Sequence, residues 1–346
     1  MHYIKPKKLN RGDTVAIVSP SWGGPSVFPH IYENGLTVLR EWGLTIKEFP
    51  TARMDAAFLR ANPHVRAKDI NDAFADSDVK AIFTSIGGDD SVRILPFLDK
   101  KTIVEHPKIL MGFSDTSTLH VFANMQGLIT FHGPSIMVGF SQMGSLPARF
   151  TSHVREMLFE PKERYEYEPY KNYCDGYPDW ATKDTVGKVH PIKSDDGWHW
   201  LQGHGTVCGE LFGGCIEVLE MMKATDFWPA QDFWKGKIFF LETSEEKPPI
   251  HFIDHALRNY VMLGVYDTIS GFMFGRARDY SDEEKKELEE KIVSVVANEF
   301  GRPDMPIVAN IDVGHTDPQL VLPLGVKTEI DCEKKKIALA EPWLAE

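Results

Sequence analysis

Cysteine is scarce in this chain. Four residues of 346 (Cys174, Cys208, Cys215 and Cys332) are too few and too scattered for a disulfide scaffold. Long apolar runs are missing too: none approaches the ~18 residues of a membrane-spanning helix. The opening stretch, His2-Tyr3-Ile4-Lys5-Pro6-Lys7-Lys8, has no apolar signal core. Nor is there any excess of positive charge. Lys and Arg number 38 against 50 Asp and Glu, a net charge of −12. Such a field repels nucleic acid and anionic membrane unless a basic patch overrides it. The runs Lys5-Pro6-Lys7-Lys8 and Lys334-Lys335-Lys336 are short and read as solvated surface. No internal repeat or low-complexity tract is present. The expectation is a reduced, cytoplasmic protein with neither a nucleic-acid nor a membrane partner. At about 150 residues per domain it would have two domains.

What is present is an alternation of strand and helix signals. Thr14–Ser19, Val79–Ser85 and Lys108–Met111 are short apolar runs bounded by turn residues, the mark of buried strands. Helical spacing separates them, as in Ile31–Trp42 and Thr116–Asn124. This rhythm predicts an α/β fold with a parallel sheet. The expected division is an N-terminal α/β domain over 1–160, an irregular aromatic linker over 161–204, and a second α/β domain over 205–346. The linker carries Trp180, Trp198 and Trp200. In the second domain, strand Lys237–Thr243 and a helix opening at Ser281, with Glu284 completing a capping box, are the clearest signals. Gly213-Gly214 is expected to open a helix.

Four constellations could carry chemistry. Gly112-Phe113-Ser114-Asp115-Thr116 lies between a predicted strand and a predicted helix, the setting of a nucleophile elbow. An N-cap role for Ser114 or Asp115 is the plainer alternative. Gly87-Gly88-Asp89 ends the third strand, where backbone can approach a ligand closely. It could feed N–H groups to an oxyanion, cradle a phosphate as in nucleotide and lipid kinases, or simply turn the chain. Glu242 and His315 each follow a strand, where α/β active sites collect. With Ser114 they supply a nucleophile, a base and an orienting carboxylate. His251 and His255 share a helix face at zinc-ligand spacing but lack an evident third ligand.

Together with Gly12-Asp13, Ser19-Pro20-Ser21, His132-Gly133-Pro134 and Gly209-Glu210-Leu211-Phe212-Gly213-Gly214, these motifs resemble the LD-carboxypeptidase family of serine peptidases. The likeness is collinear over nearly the whole chain. It implies two α/β domains with the active site between them, commonly as a homodimer. It also implies Ser114 as nucleophile, His315 as general base and Glu242 as its orienting carboxylate. Backbone N–H groups of Gly88, in the Gly87-Gly88 turn, and of Asp115 would form the oxyanion hole. The segment Trp198-His199-Trp200-Leu201-Gln202-Gly203 resembles the microcin C self-immunity branch, where a loop tryptophan holds a nucleotide-bearing substrate.

The resemblance implies no cofactor and no metal. The substrate would be a small peptide-like or nucleotide-peptide molecule, with a murein tetrapeptide as the alternative. Substrate contacts are expected from Gly87, Trp180, Trp198 and Trp200. A cation for a free carboxylate would come from Lys247, Arg276 or Arg278. A nucleotide or lipid kinase gives no role to Glu242 and His315. A non-catalytic binding protein is the third reading, and measurable turnover would exclude it.

Overall fold

The computed structural model describes residues 2–346. Two sheets organise it. The first has six strands in the spatial order Thr45–Glu48, Thr14–Val18, Val79–Thr84, Ile109–Gly112, Thr130–His132 and Leu322–Leu324. The first five run parallel, and Leu322–Leu324 closes the edge antiparallel to Thr130–His132. The inner strands are continuous apolar runs because helices cover both faces.

Thr14–Val18 lies between the second and third strands of the sequence, so the strand order reverses beside it. Loops leaving the carboxyl ends of strands at such a reversal separate and leave a crevice. Ser19, which follows Thr14–Val18, and Ser85, which follows Val79–Thr84, share a buried hydroxyl–hydroxyl hydrogen bond of 2.6 Å. The Trp22 N–H donates to the Gly87 carbonyl at 3.1 Å. The crevice floor is therefore tied across the reversal.

The second sheet has eight strands. Its four central strands, Thr206–Cys215, Ile238–Glu242, Gly271–Gly275 and Ile307–Ile311, are parallel. The strand from Thr206 runs straight through Gly213-Gly214, and the helix begins only at Ile216. Those glycines pair with Phe240 and Leu241 of the neighbouring strand, so the ladder overrides the expected helix start. The capping box at Ser281 is present as expected.

Segment 161–204 is less irregular than its composition suggests. Tyr165–Tyr167 pairs with Lys336–Leu339 at one edge of the second sheet, and His199–Gln202 pairs with Ile307–Ile311 at the other. The two halves also share their cores. One buried cluster joins Ile17, Phe83 and Phe131 to Phe240, Met273 and Val308. Another joins Phe74 and Leu110 to Phe239 and Phe272. No helix among the described residues is long and apolar enough to cross a membrane.

Candidate active site

Strand Ile109–Gly112 is followed by a single tight turn, Ser114–Thr116, and then by helix Ser117–Met125. Ser114 sits in this turn with φ of 60°, a left-handed conformation that non-glycine residues rarely hold. Such strain costs about 1–3 kcal/mol and persists only where the surroundings impose it. Here Asp115 imposes it. Its buried carboxylate accepts the N–H groups of Asp90 at 3.1 Å and Ser91 at 2.8 Å. The Ser91 hydroxyl donates back to the Asp115 carbonyl at 2.7 Å. Asp90 is in turn gripped by the fully buried Arg66, at 2.6 and 3.1 Å. The Gly87-Gly88 turn is thereby held against the serine. A Cβ on Gly87 would lie 2.9 Å from Ser114 Oγ and 3.3 Å from the Asp115 nitrogen, so only glycine leaves that space open. Asp89 instead points outward, 73% exposed, toward Arg60.

The second sheet supplies the facing groups. Glu242 ends strand Ile238–Glu242 and is completely buried. His315 follows strand Ile307–Ile311, and its Nδ1 lies 2.7 Å from Glu242 Oε2. A Cβ on Gly314 would strike that carboxylate oxygen at 2.2 Å, so the approach requires a glycine before the histidine. The His315 ring packs edge-on against Phe113, centroids 4.9 Å apart.

Burial alone would lower the pKa of His315. Glu242, by charge and hydrogen bond, and Glu245 and Glu217, by charge, outweigh it and push the pKa up to about 9. Burial raises the Glu242 carboxyl more strongly than the imidazole lowers it. Three carboxylates act on His315 together, and they favour its charged form.

Ser114, His315, Glu245 and Arg278 face one cavity of about 140 Å³, with Gly87 and Gly88 on its wall. Trp22, Tyr177 and Trp180 close the other side. Tyr177 and Trp180 are stacked, with ring centroids 4.4 Å apart and planes 13° apart. Trp180 also meets Phe28 edge-on at 5.6 Å.

Other residues singled out in the sequence lie elsewhere. Trp198 donates its indole N–H to Asp312 at 2.8 Å, and Trp200 sits in the edge strand opposite Val308. Neither lines the cavity. Arg276 is fully buried because Asp195 and Asp312 both claim its guanidinium. Lys247 pairs at 2.8 Å with Glu284. The arginine at the cavity is Arg278, two residues further on. His251 and His255 lie exposed on helix Ile250–Met262, with ring centroids 6.1 Å apart. Among the described residues no group of three or more His, Cys, Asp or Glu is arranged to hold a metal ion. Sequence reasoning missed Glu245 and Tyr177. Glu245 stands in the same Leu241-Glu242-Thr243-Ser244-Glu245 string as Glu242, but nothing local indicates that both carboxylates meet one imidazole.

The LD-carboxypeptidase N-terminal domain matches residues 15–133, and the LD-carboxypeptidase C-terminal domain matches residues 208–330. The chain belongs to the LD-carboxypeptidase family. The microcin C7 self-immunity protein MccF of Escherichia coli is 26% identical over 347 residues, covering 99% of this chain and 98% of its own. A probable murein peptide carboxypeptidase of Bacillus subtilis is 27% identical over 335 residues, covering 96% of this chain and 92% of its own. The solved structure of MccF in complex with aspartyl sulfamoyl adenosine superposes with a TM-score of 0.86 at 25% identity. It covers 99% of this chain and all of that one. Membership of the LD-carboxypeptidase family makes this protein a hydrolase of the carboxypeptidase class.

Proposed function

We propose that this carboxypeptidase is a metal-independent serine hydrolase that cleaves the amide bond of an aminoacyl- or peptidyl-nucleotide. The observation that carries the reading is the strained Ser114, on the same cavity as His315 with Glu242 braced behind the imidazole. Ser114 Oγ attacks the carbonyl and His315 Nε2 takes its proton. The oxyanion forms beside the Gly87-Gly88 turn, where the N–H groups of Gly88 and Asp115 receive it. Collapse expels the amine, which takes the proton back from Nε2, and water then deacylates Ser114 by the same route. Glu242 keeps the Nδ1 hydrogen in place and stabilises the imidazolium as it forms.

The nucleotide part of the reading rests on the aromatic wall. Trp180 and Tyr177 form a flat stack at the cavity, and an aromatic face holds a purine by ~1–3 kcal/mol. Arg278, whose Nε also pairs with Asp279 at 3.2 Å, is the cation at the cavity for the phosphate or sulfamate. A relative that binds aspartyl sulfamoyl adenosine adds support.

One observation favours a second reading. The cavity, at about 140 Å³, is small beside the 300 Å³ or more typical of ligand pockets. It suits an aminoacyl group better than a whole nucleoside. A murein tetrapeptide losing its terminal residue would need no more room, with Arg278 binding the free carboxylate.

Incubation with aspartyl-sulfamoyl adenosine and with a murein tetrapeptide, followed by mass spectrometry, separates the two. The nucleotide reading expects release of the sulfamoyl adenosine and little change in the peptide. Ser114→Ala should lose at least ~10³ in turnover with an unchanged melting curve. Retained turnover in that variant would move the nucleophile elsewhere.

A further inference from the structure

The second carboxylate at His315 has no role in the reaction as just written. Glu245 Oε2 lies 3.1 Å from His315 Nε2, the nitrogen that must receive the Ser114 proton. The oxygen is out of line with the N–H, and Nε2 has no hydrogen-bond partner among the described residues. The two flanking carboxylates differ in freedom. Glu242 is wholly buried and fixed, whereas 52% of the Glu245 side chain reaches solvent from the loop after the strand. Glu245 can therefore swing away while Glu242 cannot.

We propose that Glu245 selects substrates bearing an ammonium beside the scissile carbonyl, and that binding this ammonium draws Glu245 off His315 Nε2 and frees that nitrogen to act as the base. The inference rests on the serine-hydrolase reading and narrows its substrates to aminoacyl-nucleotides, since the α-nitrogen of a peptidyl-nucleotide is an uncharged amide. In the free enzyme Nε2 carries a proton, favoured by the negative charge of the carboxylate 3.1 Å away. When the ammonium takes the carboxylate, the N–H bond at Nε2 breaks and its proton goes to water. The electron pair left on Nε2 can then accept the Ser114 hydroxyl proton. An α-ammonium, as on an aminoacyl group with a free N-terminus, is the group at the right distance from the carbonyl. A compact cation beside a carboxylate in a partly closed cavity is a favourable contact. A neutral acylated amine makes no such contact and leaves the gate shut.

Several charged groups face the imidazole. Glu242 and Glu217 come from the second sheet and its first helix, and the buried Asp317 comes from the loop that carries His315. His132, from the first sheet, is neutral because burial holds its pKa well below the usual range. Arg278 neighbours Glu245. Of the three carboxylates that raise His315, only Glu245 lines the cavity where a substrate can meet it.

The test compares an aminoacyl-sulfamoyl adenosine with the same compound acetylated on its α-amine, using wild type and Glu245→Gln across pH. Histidine NMR titration of the substrate-free proteins runs in parallel. Wild type should cleave the free amine at least ~100-fold faster, a discrimination that Glu245→Gln reduces below about tenfold. The midpoint of His315 in the free protein should fall by about one pH unit or more in Glu245→Gln. In wild type the acidic limb of kcat, which reports the bound state, should lie below that of kcat/KM, and in the variant the two should coincide. Glu245→Asp, which keeps the charge, should restore part of the discrimination.

Equal cleavage of both compounds by wild type would overturn this inference and leave the hydrolase reading standing. So would an unmoved His315 midpoint in Glu245→Gln. Cleavage of neither compound would overturn the nucleotide reading and this one together.

Discussion

Ser91 and Asp115 are joined twice, by the Ser91 N–H to the Asp115 carboxylate at 2.8 Å and by the Ser91 hydroxyl to the Asp115 carbonyl at 2.7 Å. This double tie couples the turn that carries Ser114 to the glycine turn opposite it. A hydrogen-bonded pair of turns keeps the distance between the proposed nucleophile and the proposed oxyanion donors fixed, which is where positioning contributes most to rate.

Asp115→Ala is therefore expected to act on both stability and rate. It leaves the buried Ser91 N–H without an acceptor and the Asp90 N–H with only the longer contact to Ser21 Oγ at 3.4 Å, and an unmet buried donor costs about 1–3 kcal/mol. Denaturant unfolding should show a loss of about 1–3 kcal/mol, and kcat should fall more than KM rises. Asp115→Asn keeps one acceptor oxygen and should recover part of both. An Ala variant with wild-type kcat would mean that the two turns do not need each other.

Glu242→Gln should lower kcat by about 10³-fold or more with little change in KM, because the carboxylate holds the Nδ1 hydrogen in place and stabilises the imidazolium formed when Ser114 gives up its proton. Its effect on stability should depend on pH. A histidine whose pKa is raised in the folded state contributes stability that is complete below its unfolded value, near 6.5, and is lost as pH rises through about 9. The variant should therefore be most destabilised relative to wild type at pH 6 and least at pH 10. A stability difference that stayed constant across that range would show that the pair is not linked to proton binding.

Trp180 and Trp198 should behave differently when replaced by alanine. Trp180 lines the cavity, so Trp180→Ala should weaken kcat/KM for an adenylated substrate by about tenfold or more and spare a nucleobase-free peptide. Trp198 braces Asp312, whose other oxygen holds Arg276, so Trp198→Ala should lower the melting temperature and affect both substrates alike. Equal losses on both substrates for Trp180→Ala would remove the nucleobase from the reading.

The local part of this molecule was legible in the sequence. The strand, turn and helix around Ser114 are contiguous, and a short apolar run followed by Gly-Phe-Ser-Asp-Thr specifies them without distant help. The capping box at Ser281 is equally local. The fold class followed from the same alternation of apolar runs and helical spacing. Long-range partners were not legible. Arg276 and Arg278 look equivalent in the chain, and the difference between them is that Asp195 and Asp312 reach one and not the other. Trp198 and Trp200 read as loop aromatics because their partners, Asp312 and Val308, lie more than a hundred residues away. Glu245 escaped notice for the same reason: its meaning depends on a histidine 70 residues downstream.

The edge strand Leu322–Leu324 has a consequence for how the protein is made. It completes the first sheet from almost the far end of the chain, pairing Leu322 with His132 and Leu324 with Thr130. During synthesis from the N-terminus, the ribosome must add nearly 200 further residues before that edge finds its partner. Until then Thr130–His132 presents an open ladder of backbone donors and acceptors, the feature that recruits foreign strands. The apolar clusters shared by both halves also stay uncovered for that interval. Until residues 322–324 emerge, the first half carries an open sheet edge and uncovered apolar surface, the two features that make a partly synthesised chain prone to aggregate.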